Sequence, residues 1–172
     1  MGKSLARWGY TAQRPVKRAL EQRPELIQTW LRETDPAIAA RAKAEGAAIY
    51  WADETAVKED AHWIRGFAPA GRTPVLEMPA RWGKLSMISA ITNRGEISFQ
   101  IVEGTINAER FIEFLAHLLQ DAMTKIFLIV DNLRVHHAKI VREWAEPLKD
   151  KIELFYLPPY APESNPDEYL NH

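Results

Sequence analysis

Lys125-Ile126-Phe127-Leu128-Ile129-Val130-Asp131-Asn132 is the stretch from which the rest of the chain can be read. Ile126 to Val130 is an unbroken apolar run, mostly β-branched and aromatic, and too short to be read as a helix. Such a run is apolar on both faces, which describes an interior strand covered on both sides. Asp131 then stands at the carboxyl end of that strand, where open α/β sheets place their ligands. An acid there either opens a loop or takes part in chemistry, and these eight residues leave both readings open.

Working outward, the same logic predicts five more strands. Ile49 to Asp53, Trp63 to Phe67 and Lys84 to Thr92 precede the run, and Ile97 to Val102 pairs back across the turn Asn93-Arg94-Gly95. Asn107 caps an amphipathic helix with Phe111, Phe114, Leu115, Leu118 and Leu119 at helical spacing. After Asp131 comes a helix holding Val141, Trp144 and Leu148, stopped near Pro147. A strand from Ile152 to Leu157 follows, then a rigid extended loop from Pro158 to Pro162. Upstream, Pro24 opens one helix, with Leu26, Ile27, Trp30 and Leu31 on its face. Asp35 and Pro36 open a second, with Ile38, Ala39 and Ala42, stopped by Gly46. A strand meander followed by alternating helices and strands implies an α/β protein, a mixed sheet with helices on its faces.

Composition narrows the function classes. The chain has 172 residues, 47% hydrophobic and 26% charged, enough for one good core and a small appendage. No apolar run is long enough for a membrane-spanning helix, and no signal-peptide pattern opens the chain. With no cysteine there is neither a disulfide nor a thiolate metal site. The net charge of −1 hides an asymmetry. Lys3, Arg7, Arg14, Lys17, Arg18 and Arg23 face a single acid, Glu21, within residues 1–23. A basic arm before an acidic body is either a segment that binds a polyanion or a solvated tail.

Three acids stand at chemically informative places. Asp53 is expected to end the first strand and Asp131 ends its neighbour. In Asn165-Pro166-Asp167-Glu168, Asn165 reads as an N-cap with Glu168 at the third helical position. If the two strands are adjacent, Asp53 and Asp131 lie side by side, and a helix crossing that edge brings Glu168 to the same point. Carboxylates without histidine or cysteine partners suit a hard cation, Mg²⁺ or Mn²⁺. Three anions brought together without a cation would repel one another. The structural alternatives stand beside this: Asp53 as a loop start, and Glu168 as half of a capping box with Asn165. Glu54, next to Asp53, faces the other side of the strand and is set aside. His136 and His137 either shape the site or contact phosphate, or they are plain surface and helix-start residues. The same choice, functional or merely solvated, applies to Arg72, Arg81, Trp82 and Lys84.

With Trp51-Ala52-Asp53-Glu54, Gly104 to Phe111, Leu128 to Lys139 and Leu157-Pro-Pro-Tyr-Ala-Pro-Glu-Ser-Asn-Pro-Asp-Glu-Tyr-Leu-Asn171 in view, the chain resembles the DDE transposases of the mariner superfamily, in their bacterial insertion-sequence branch. The 36 residues between Asp131 and Glu168 are close to the spacing of that family. The resemblance implies a ribonuclease H-like catalytic domain over residues 47–172, C-terminally truncated. A helical linker over 15–46 and the end of a helix-turn-helix domain over 1–14 would precede it. It implies Asp53, Asp131 and Glu168 as catalytic triad and metal ligands, and Mg²⁺ or Mn²⁺, as two ions, as cofactor. Lys3, Arg7, Arg14, Lys17 and Arg18 would contact DNA. The partners implied are the element's terminal inverted repeats, target DNA and a second copy of the chain. The location implied is cytoplasmic, at the nucleoid, with no membrane. Two other functions remain: a truncated remnant that folds or binds DNA without catalysis, and a ribonuclease H-like nuclease that hydrolyses without strand transfer.

Overall fold

A computed structural model describes residues 20–58, 84–161 and 165. In chain order these residues form helix α1 (Pro24–Thr29), a π turn (Trp30–Thr34), α2 (Asp35–Glu45), β1 (Ala48–Lys58), β2 (Lys84–Thr92) and β3 (Ile97–Glu103). There follow α3 (Ala108–Asp121), β4 (Ile126–Val130), α4 (Lys139–Ala145), a 3₁₀ turn (Glu146–Leu148) and β5 (Ile152–Tyr156). The expected strand at Trp63–Phe67, the loop basics Arg72 and Arg81 with Trp82, the basic arm and Glu168 all lie outside the described residues.

The strands make one sheet in the order β3-β2-β1-β4-β5. The β1–β2 and β2–β3 pairs are antiparallel, and β1–β4 and β4–β5 are parallel. This is the expected mixed sheet, and all five side chains of β4 are buried. Period-two alternation sorts them onto two faces. Ala52, Leu128 and Val130 join Phe111, Phe114, Leu115 and Leu118 of α3 and Val141 of α4 in one core. Trp51, Phe127 and Ile129 meet Trp30, Ile38 and Ala42 in a second core on the opposite face. The odd-numbered side chains of edge strand β3, Ile97, Phe99 and Ile101, are exposed.

The local signals at α3 and the hairpin are observed as expected. The Asn107 side chain accepts a bond from the Arg110 N–H at 2.9 Å, capping α3. Gly95 adopts φ 83°, and its N–H bonds the Thr92 carbonyl. Gly46 ends α2 at φ 65° with its N–H on the Ala42 carbonyl.

Four expectations need correction. Asp35 is not an N-cap: its φ and ψ are helical, and the chain runs helically from Pro24 to Glu45. Pro36 has no N–H to give, and the helix absorbs the loss by widening just before it, with the Asp35 N–H reaching back to the Trp30 carbonyl. The apolar face read for the first helix holds only in part, since Trp30 is buried while Leu26 and Leu31 are exposed. Asp53 does not end its strand, because β2 keeps pairing β1 as far as Lys58↔Lys84. Nor is the proline-rich loop extended throughout: Pro159 and Tyr160 turn, with Tyr160 at φ 57°. The segment expected as a linker contributes Trp30, Ile38 and Ala42 to the second core. Among the described residues no helix is long and apolar enough to cross a membrane.

Candidate active site

The parallel pairing of β1 with β4 matches Ala48 to Ile126 and ends at Trp51↔Ile129. Two residues further along the same register stand Asp53 and Asp131. Asp53 shares the Trp51 face of β1, since side chains alternate along a strand, and Asp131 directly follows the last residue of β4. Neighbouring strands are about 4.8 Å apart, so the two acids are neighbours across the place where β4 stops and β1 continues. Asp53 and Asp131 line one cleft of about 520 Å³ with Asn132, Leu133, Arg134, Asn165 and the loop from Leu157 to Ala161.

The loop after β4 is tied down by its own side chains. Oδ1 of Asp131 accepts from the Leu133 N–H at 3.0 Å and lies 3.0 Å from His136 Nδ1. The Asn132 amide donates to the Leu157 carbonyl. His137 Nε2 is 2.8 Å from Asn132 Oδ1, and its ring stacks on Tyr156 at 4.2 Å. The Tyr156 hydroxyl donates to the His136 carbonyl at 3.2 Å.

His136 is 2% exposed and packs 4.4 Å from the Phe111 ring, so it is a core residue and not a surface one. Its Nε2 lies 3.2 Å from Glu54 Oε1. Glu54 faces away from Asp53, as strand alternation requires, and its carboxylate meets the imidazole that also contacts Asp131. Burial opposes a charge on His136, yet the hydrogen bonds to Asp131 and Glu54 outweigh burial and raise its pKa to about 9. Spacing along a strand cannot find this link, because it passes around the end of the sheet. The available signal was an acid directly after Asp53 and a histidine five residues after Asp131.

Asn165 is buried, and its amide donates to the Ala52 carbonyl at 3.0 Å. This bond attaches the Asn165 segment to β1 beside Asp53. The sequence reading of Asn165 as a helix cap did not foresee it. Glu168 and the basic residues Lys3, Arg7, Arg14, Lys17 and Arg18 lie outside the described residues.

The donor chemistry fits a hard divalent cation: carboxylate oxygens from two adjacent strands, with no thiolate nearby. Among the described residues no group of three or more histidine, cysteine or acidic side chains forms a complete metal cage. Asp53 and Asp131 are the two acids that line the cleft among the described residues.

A family model described as "DDE superfamily endonuclease" matches residues 48–172, and one described as "winged helix-turn helix" matches residues 1–34. No curated protein sequence matches the chain. Among solved structures it is similar to the Mos1 mariner paired end complex with Mn, at 19% identity and TM-score 0.64, covering 97% of this chain and 53% of that one. It is also similar to the catalytic domain of Mos1 mariner transposase, at 18% identity and TM-score 0.55, covering 90% and 71%. The chain thus spans about half the length of the full Mos1 chains it matches, and the likeness is one of fold, ribonuclease H-like. With a family model covering both strand-borne acids and most of its length, the chain belongs to the DDE superfamily endonucleases.

Proposed function

We propose that this chain is the catalytic part of a mariner-superfamily transposase of the bacterial insertion-sequence branch. It would cut DNA at the ends of its element and join the freed 3′-hydroxyl to target DNA. The observation that carries the reading is that Asp53 of β1 and Asp131, just past β4, line one cleft in a DDE endonuclease.

Glu168 is the proposed third acid. Asn165, three residues before it, is bonded to the Ala52 carbonyl beside Asp53, which supports its delivery to this end of the sheet. Asp53, Asp131 and Glu168 would then hold two Mg²⁺ or Mn²⁺ ions. Bound ions supply charge against the attacking and leaving oxygens of a phosphodiester. The chain's own part is to fix the acids: β1 and β4 set the spacing, and the bonds to Oδ1 fix the carboxylate of Asp131. Arg134 at the cleft wall would meet DNA phosphate. The match to a winged helix-turn helix over residues 1–34 supports terminal-repeat binding there, with Lys3, Arg7, Arg14, Lys17 and Arg18 as phosphate contacts. Action as a homodimer on paired ends, at the nucleoid in the cytoplasm, completes the proposal.

The test is a cleavage and strand-transfer assay on duplexes carrying the element's end, with Mg²⁺ or Mn²⁺. Nicks at the element end and joined products are expected, both lost below detection in Asp131→Asn. Nicks without joined product would make the chain a hydrolytic nuclease. No cleavage with either ion would overturn the proposal.

A further inference from the structure

Contacts that hold one oxygen of a ligating carboxylate set the direction in which the other oxygen points. At the Asp131 carboxylate Oδ1 accepts from the Leu133 N–H, and His136 Nδ1 lies 3.0 Å from the same oxygen and 3.2 Å from the Asp131 backbone carbonyl. That leaves Oδ2 as the oxygen available to a cation. The Leu133 bond is a local loop contact and would form in many turns of this kind. The His136 bond is different, because it is anchored at a distance: the ring is buried, packed on Phe111 of α3, and held at its other nitrogen by Glu54 of β1.

We infer that His136 is a positioning residue for the metal site, with Glu54 as its anchor: the Glu54–His136 pair fixes Oδ1 of Asp131 so that Oδ2 faces the ion. A carboxylate only accepts hydrogen bonds, so Nδ1 of His136 must carry a proton to make this contact. The arrangement also ties β1 to the loop after β4 through Glu54 and His136. Partners that orient a metal ligand from behind change metal affinity by about 10–100-fold when removed. The inference rests on the reading of Asp53 and Asp131 as metal ligands, and its test separates the two.

The test is Mn²⁺ binding by calorimetry on the full chain, comparing wild type with His136→Asn and His136→Gln. Asparagine places an amide N–H near the position of Nδ1 and keeps the bond to Asp131. Glutamine places it near Nε2 and keeps only the bond to Glu54. Both lose the imidazole packing on Phe111, so a purely structural role lowers thermal stability in both and treats their Mn²⁺ affinities alike. The expected result is affinity within about threefold of wild type for His136→Asn and at least about tenfold weaker for His136→Gln. Equal affinities in the two variants would overturn the positioning role while leaving the metal site standing. A wild type that binds no Mn²⁺ would overturn the metal-site reading and this inference with it. Should either variant fail to fold, ¹⁵N-histidine spectra of the wild type decide the matter. A protonated Nδ1 on His136 is expected, and an unprotonated Nδ1 overturns the inference.

Discussion

Asn165 makes one buried bond that ties its segment to the Ala52 carbonyl. Asn165→Ala leaves that carbonyl without its donor, and urea unfolding should register a loss of about 1–2 kcal/mol. Unchanged stability would mean that the segment is held to β1 by something else. Single residues are also where the sequence was least legible. Asp53 and Asp131 could be picked out because each belongs to a motif on a strand. Glu54 and His136 could not, because their link closes around the end of the sheet over 82 residues of chain. Tyr160 escaped for a simpler reason: a non-glycine residue at φ 57° is a placement that no propensity favours. Tyr160→Gly removes that constraint, so stability should be unchanged or higher by up to about 1 kcal/mol, as read from the urea midpoint.

Elements were far more legible where periodicity was strong. The β4 run, the capped α3 and the Gly95 hairpin all follow from side-chain pattern and turn chemistry. The helix from Pro24 to Glu45 did not, because two prolines were read as two helix starts. A π turn lets the chain pass Pro36 without breaking, and no sequence pattern announces one. The length of β1 was missed as well, since its extension past Asp53 depends on a partner strand and not on its own residues. Trp30 anchors the helical segment in the second core at 5% exposure. Trp30→Ala should therefore lower stability by about 3–5 kcal/mol. A loss under about 1 kcal/mol in urea unfolding would show that the helix is a detachable linker. At the helix end, an added Cβ on Gly46 meets nothing within 4 Å, so Gly46→Ala carries only the left-handed backbone penalty. That change should be about 1 kcal/mol by the same measurement.

For the whole molecule, the sheet order is what makes a site. Placing β4 beside β1, with the antiparallel hairpin on the other side, puts two distant acids at one register and leaves the cleft at the end of β4. Ligand binding to the folded state alone must then stabilise the fold by mass action. At a Mn²⁺ concentration about a hundredfold above its dissociation constant, the gain is about 2.7 kcal/mol for one ion. For a chain of this size that is a rise in melting temperature of roughly 5–10 °C. The central claim is that Asp53, Asp131 and Glu168 form one metal site. The most direct measurement is Mn²⁺ calorimetry on the wild type beside Asp53→Asn, Asp131→Asn and Glu168→Gln. Binding by the wild type that weakens with every one of the three substitutions is the expected result. Wild-type binding unaffected by any one of the three substitutions, or no binding at all, would contradict it.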